Sequence, residues 1–374
     1  MEEIDGERER AIRLGLRVHP FTRSPVHLFT CSLVHPSPKG NPVTLPQTID
    51  THAHYFPETY IKLIADYGKR CGTTVTADAS GTRFIQVGLL LRTGPITPHF
   101  FDLDERLKTM DSVGVKMHAL SLTQPMVYWA DDELGLDLCI AFNDAISEAH
   151  RKHPDRFIGF ACLPLQNPNL ALQELNRVAR LPGIRGLYMA TAVRDRELSD
   201  RSFFPIYERA ADLGLPIFLH PMMINNERLK QYYLINLLGN PFETAIAASH
   251  LIFGGVMDAF PKLEVSLPHA GGALPILRGR LDRGFEIRGE CKVIPRPPSE
   301  YLKRFTYDTI AYSADIMDDL VGLVGADRIM MGSDYCFDIG FNDPVRIVNG
   351  MKSLDDAQRR QILWGNAAKL LRLE

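Results

Sequence analysis

The sequence predicts an α/β protein folded as a (β/α)8 barrel of the TIM type, and three observations lead there. From residue 43 onward, strand-like runs alternate with segments of helical spacing, which implies a parallel sheet with covering helices. Eight such runs can be counted, and eight is the number that closes a barrel. Four segments end an apolar run in a residue able to bind metal or move protons, and the C-terminal strand ends are where a parallel barrel keeps its chemistry.

The strand candidates run over about 45–50, 115–121, 157–163, 184–190, 215–220, 263–268, 305–308 and 328–333. Between them Glu133–His153, Asn169–Leu181, Pro241–Phe260 and Asp355–Leu371 place apolar residues at helical spacing. Pro154, Pro182, Pro216 and Pro261 stand where such helices should stop. Residues 70–104, before a helix over Arg106–Val113, are too long for an ordinary βα connection and predict a small insertion over the barrel mouth. Arg296-Pro297-Pro298 reads as a loop. Residues 1–46 carry Pro, Ser and His without sustained periodicity, which predicts an appended arm packed on the barrel or on a second subunit. The expected organisation is therefore an arm (1–46) and one barrel domain (47–374).

Composition narrows the function classes. With 374 residues, 45% hydrophobic and 23% charged, the chain can bury a large core. A net charge of −3 gives no general electrostatic case for nucleic acid or for an anionic membrane. Its six cysteines show no C-x-x-C spacing and read as reduced thiols in a cytoplasmic protein. No apolar run reaches the length of a membrane span, and the opening Met-Glu-Glu-Ile-Asp-Gly-Glu-Arg-Glu-Arg is too charged for a signal peptide.

The chemistry starts at His52-Ala-His54. In a strand, residues i and i+2 point the same way, so both imidazoles can converge on one ion. Alone, the pair fits a strand-end turn with two solvated histidines equally well. The further segments are Leu219-His220-Pro221, Leu267-Pro268-His269-Ala-Gly-Gly272 and Gly332-Ser333-Asp334-Tyr335. Singly, His220 and His269 also read as core or loop histidines, and Asp334 as a helix cap. Taken together, the set supplies four ligands and one free base.

These motifs resemble the metal-dependent decarboxylase branch of the amidohydrolase superfamily. The likeness rests on His52-x-His54, Leu219-His220-Pro221, the run from Gly254-Gly255-Val256 through Phe260-Pro261-Lys262-Leu263 to His269-Ala-Gly-Gly, Gly332-Ser-Asp334-Tyr335 and Gly365-Asn366-Ala367-Ala368, in the same order over about residues 48–373. The resemblance implies that His52, His54, His220 and Asp334 hold one divalent ion, Zn²⁺ or alternatively Mn²⁺, with no organic cofactor. Two-metal members usually carry a bridging lysine at the end of the fourth strand, and Ile184-Arg-Gly-Leu-Tyr-Met-Ala-Thr-Ala-Val193 has none.

In that family the residue matching His269 is an acid/base group. It would take a proton from metal-bound water and return one to substrate carbon, with Asp334 sharing the work. The resemblance also points to Arg280 as a carboxylate-binding group reaching a neighbouring subunit's site in a homodimer or higher assembly; on sequence alone it reads equally as a surface ion-pair arginine. Arg92, with His99 as its rival, matches the family's first-loop arginine. Tyr128, Trp129, Met222 and Met223 would line an apolar wall. Asn236 departs from the tryptophan usual in the muconate-acting members.

The implied activity is non-oxidative decarboxylation of an aromatic or muconate-type carboxylic acid. Two other readings remain: a hydrolase or hydratase of a lactone or unsaturated oxo-acid at the same site, and a metal-stabilised barrel without turnover.

Overall fold

The structure, a computed structural model, describes residues 47–89, 91–222, 226–340 and 342–373. The expected N-terminal arm, residues 1–46, and Met223 lie outside the described residues.

Eight parallel strands form one sheet whose spatial order is the chain order. They are β1 (Ile49–His54), β2 (Met117–Ser121), β3 (Phe157–Cys162), β4 (Ile184–Ala190), β5 (Ile217–His220), β6 (Val265–Leu267), β7 (Phe305–Asp308) and β8 (Ile329–Met330). The sheet curls back on itself. Tyr335 bridges Ala53, the amide of Thr51 donates to the Met331 carbonyl at 2.9 Å, and the amide of Asp334 donates to the His52 carbonyl at 3.0 Å. Every residue of β1, β2 and β3 is buried, as expected of a parallel sheet covered on both faces.

Two strand boundaries differ from the sequence reading. The first strand starts later, at Ile49, and continues through both histidines to His54, because their rings turn into the barrel instead of toward water. The last strand is shorter, and residues 331–335 run on beside β1, hydrogen-bonded to its backbone.

Below the C-terminal ends the barrel is filled by rings. Phe218 stacks on Phe160 at 3.9 Å, and Phe160 lies parallel to Tyr188 at 6.2 Å. Burying each such side chain contributes roughly 1.5–3 kcal/mol. The column forms a rigid floor beneath the imidazoles of His52 and His220.

The connecting helices follow their sequence signals. Asp131 caps the helix Asp132–Lys152 by accepting from the Leu134 amide at 2.9 Å. Asp132 and Glu133 lie in its first turn and His150, Arg151 and Lys152 in its last, complementing the helix dipole. The expected helix over 241–260 is interrupted: Asn240–Phe253 ends at Gly254, Gly255 takes a left-handed φ of 71°, and a short turn Val256–Ala259 follows. The C-terminal helix is likewise broken by a π-helical turn over Gln361–Gly365. Pro298–Arg304, next to the expected loop, winds into a 3₁₀ segment.

Between β1 and the helix Leu103–Ser112, the strands Thr73–Ala77, Arg83–Val87 and Leu91–Ile96 form a three-stranded antiparallel sheet. A two-point ion pair from Arg83 to Glu58, at 2.8 and 2.6 Å, ties this sheet to the helix that follows β1. Its last strand reaches the rim of the barrel's C-terminal end.

Candidate metal and acid/base centre

One ligand atom from each of His52, His54, His220 and Asp334 lies within 4.8 Å of all the others, and all four residues are buried. Strand geometry explains the gathering. His52 and His54 share the inward face of β1, His220 ends β5, and Asp334 follows β8 in a left-handed conformation (φ 61°) that swings its carboxylate inward. The Nε2 atoms of His52 and His54 are 3.2 Å apart, and His54 Nε2 is 2.9 Å from Asp334 Oδ1.

Each ring is oriented by its other nitrogen. His52 Nδ1 meets Asp308 Oδ2 at 2.8 Å, His54 Nδ1 meets Ser121 Oγ at 3.3 Å, and His220 Nδ1 meets the Pro221 carbonyl at 2.9 Å. Such outer contacts fix the tautomer that leaves Nε2 free to bind an ion.

Electrostatics suit a cation. Burial pushes His54 down to about 4, against the pull of Asp334, and burial with the neighbouring imidazoles holds His220 well below its usual value. Burial opposes ionisation of Asp334, but the facing His269 imidazole, the hydrogen bond from His54 and the nearby His52 outweigh it and keep the carboxyl well below the usual range. Burial lowers His52 too, yet the Asp308 hydrogen bond leaves its pKa raised. Two neutral imidazoles, a third held by a carboxylate and an anionic oxygen form a buried His₃–Asp metal site.

His269 stands beside this set. Its Nε2 is 3.9 Å from Asp334 Oδ2, and its ring centroid lies 5.4 Å from that of His52. His269 and Ala270 both adopt left-handed φ of 54°, and Gly272 follows at 59°. A Cβ on Gly272 would fall 2.2 Å from the Pro241 carbonyl oxygen, so the close turn requires glycine. His269 Nδ1 is buried with no hydrogen-bond partner among the described residues, an arrangement that costs about 1–3 kcal/mol and marks a group kept for function.

Two adjoining cavities of about 510 and 690 Å³ open over the centre and share Asn236, Asn240, His269 and Asp334. The first sets Arg92, His99 and Gln124 among apolar walls that include Leu91, Phe100 and Phe337. The second is walled mostly by apolar groups, including Ile276, Ile310, Tyr312 and Leu323.

The remaining sequence-predicted residues divide. Arg92 lines the first cavity with its guanidinium 3.7 Å above the Phe84 ring, and His99 lines it too, with Nδ1 3.0 Å from the Tyr335 hydroxyl. Asn236 lines both cavities. Trp129 lines neither: its indole N–H donates to the Met126 carbonyl at 3.1 Å, and the ring packs against the core. Tyr128 is buried and Met222 half-buried, and neither lines these two cavities, whose apolar walls among the described residues come from others. Arg280 is exposed on the helix Leu274–Ile287, outside both cavities of its own chain.

Three groups escaped the sequence reading. Asp308 is the last residue of a predicted strand, the same signal that marks His220. Tyr188, on β4, places its hydroxyl 3.5 Å from His52 Nε2, on the strand that carries no bridging lysine. Arg106 is fully buried, donating to the carbonyls of His54 and, at 2.9 Å, His99, with its guanidinium 4.7 Å from the Tyr335 ring. Its helix pattern gave no sign of burial.

Comparison with known proteins agrees with this geometry. Residues 49–373 match the family model described as Amidohydrolase. The chain is 33% identical over 333 residues to a 2-amino-3-carboxymuconate-6-semialdehyde decarboxylase of Dictyostelium discoideum, covering 87% of this chain and 92% of that one. Its fold resembles the crystal structure of 5-carboxyvanillate decarboxylase from Sphingomonas paucimobilis, with a TM-score of 0.75, 26% identity and coverage of 88% and 99%. It also resembles a dihydroxybenzoic acid decarboxylase from Polaromonas sp. JS666, solved with manganese and the inhibitor 2-nitroresorcinol, with a TM-score of 0.72, 26% identity and coverage of 87% and 97%.

Proposed function

The chain belongs to the amidohydrolase family, and we propose that this carboxy-lyase removes CO₂ without oxidation from an aromatic or muconate-type carboxylic acid. The observation that carries the reading is His269, an imidazole 3.9 Å from Asp334 that faces both cavities without entering the ligand cluster.

His52, His54, His220 and Asp334 hold one divalent ion, zinc or manganese. The bound ion supplies a Lewis-acid centre for the oxygens of the substrate. Arg92 and His99 offer the first cavity a cation and a hydrogen-bonding ring for a second acidic or phenolic group. His269 delivers a proton to the carbon bearing the carboxylate. The C–C bond to the carboxylate then breaks, its electron pair returns to the conjugated system, and CO₂ leaves; His269 recovers its proton from water. Asp334 faces His269 with its second oxygen, 3.9 Å from Nε2.

The same reading makes the protein a homodimer or a larger assembly in which Arg280 serves the neighbouring subunit's site. In support, Arg280 is exposed, and Ile276, 83% exposed on the same helix, borders the apolar cavity together with the partly exposed Tyr312 and Ile316.

The test is CO₂ release and product analysis over a panel of carboxylated phenols, muconates and lactones, with and without chelator. Metal-dependent CO₂ release from an acid supports decarboxylation. Ring opening of a lactone or addition of water to an oxo-acid, with every carboxylate retained, assigns the site to hydrolysis or hydration.

A further inference from the structure

Asp308 closes β7, is 3% exposed, and receives three donors on its two oxygens. His52 Nδ1 meets Oδ2 at 2.8 Å, while the amides of Ala270 and Ile310 donate to Oδ1 at 2.9 and 3.1 Å. One carboxylate thus touches a ligand of the metal cluster and the backbone next to His269. Ser121 and the Pro221 carbonyl orient His54 and His220 without reaching that turn.

We propose that Asp308 is a positioning residue that couples the two halves of the centre, so that filling of the metal site and placement of His269 depend on each other. The inference rests on the reading of the centre as a metal-dependent acid/base site.

On the ligand side, an ionised carboxylate only accepts, so it holds the proton of His52 on Nδ1 and leaves Nε2 as a lone pair among the other ligand atoms. On the base side, His269 and Ala270 both sit at φ 54°, a conformation uncommon for residues with a Cβ, which persists only when the surroundings hold it. The Ala270 amide on Asp308 is such a hold, joined by Gly271 N–H to the Pro268 carbonyl at 3.0 Å and Gly272 N–H to the His269 carbonyl at 2.8 Å. An ion drawing on His52 Nε2 strengthens the Nδ1–H donation to Asp308, which fixes the carboxylate that pins the turn.

An asparagine at this position has one acceptor oxygen for donors on both sides. If the oxygen stays with Ala270, the amide NH₂ faces His52 Nδ1 and drives the imidazole proton to Nε2, where it blocks metal binding. If the amide flips, the His52 contact survives and its NH₂ confronts two backbone N–H groups.

The experiment uses the full-length chain as wild type, Asp308→Asn and Asp308→Ala. Zinc affinity is measured by competition with a chromophoric chelator, and hydrogen–deuterium exchange of peptides covering residues 265–275 is followed in metal-free and zinc-saturated protein. We expect saturation with zinc to slow exchange in the wild-type turn. Asp308→Ala should lower zinc affinity about 10–100-fold and leave the turn's exchange indifferent to saturating zinc. Asp308→Asn should lose affinity by a similar factor or show faster exchange in the turn, depending on which way the amide settles, and it carries the test if the alanine variant does not fold. Wild-type affinity together with wild-type exchange in Asp308→Asn, or a zinc-responsive turn in Asp308→Ala, overturns the coupling. Failure of the wild type to bind zinc or manganese overturns the underlying metal reading instead, so the two failures are separable.

Discussion

His269 Nε2 lies 3.9 Å from one carboxylate oxygen of Asp334, while the other oxygen of Asp334 faces His54 Nε2 at 2.9 Å. The carboxylate is therefore divided between the metal cluster and the acid/base group. Ligand and base are thus adjacent but distinct residues.

Replacing His269 by Ala should leave metal content intact and reduce turnover at least ~100-fold, the contribution typical of a positioned general acid or base. Elemental analysis alongside steady-state kinetics checks both halves. An emptied site would make His269 a ligand.

Purified protein should carry about one divalent ion per chain, lose activity on chelation and regain it with zinc or manganese. His52→Ala or His220→Ala should lose metal and activity together. Two tightly bound ions per active chain would contradict the single-ion site.

Gly272→Ala should destabilise the fold by about 1–3 kcal/mol, because an alanine at a left-handed position is strained and its Cβ meets the Pro241 carbonyl. Calorimetric unfolding reads the loss. A variant as stable as wild type would mean that the turn next to His269 relaxes freely.

Mixing inactive His269→Ala and Arg280→Ala proteins under conditions of subunit exchange should restore activity, since one hybrid site then contains both native groups. Arg280→Lys should substitute poorly, because a lysine cannot offer the two parallel donors of a guanidinium to a carboxylate. Exchanged mixtures that stay inactive would confine Arg280 to its own chain or to no role.

Much of this architecture is legible in the sequence, because hydrophobic periodicity and strand-end chemistry are local properties. The eight strands fall close to their predicted positions, and the four residues of the metal cluster are the ones the strand ends nominate. What stayed hidden depends on distant partners. Asp308 is 256 residues from His52, and nothing near either residue announces their 2.8 Å contact. Arg106 sits on a short helix whose pattern reads as half-solvated, yet its guanidinium is drawn inward by the carbonyls of His54 and His99. Trp129 looked like a cavity wall by type, but the Met126 carbonyl three residues earlier already holds its indole N–H. The first strand reads as ending before its histidines because polar residues imitate a turn when the ligand site they face is not visible.

In this mechanism His269 protonates the carbon that loses its carboxylate. Mass spectrometry of the product formed in D₂O from a substrate identified by CO₂ release tests it most directly. The product should carry one non-exchangeable deuterium at the former carboxylate carbon, form with one CO₂ per molecule, and disappear in His269→Ala with metal still bound. A product that keeps its carboxylate and gains the elements of water would contradict it.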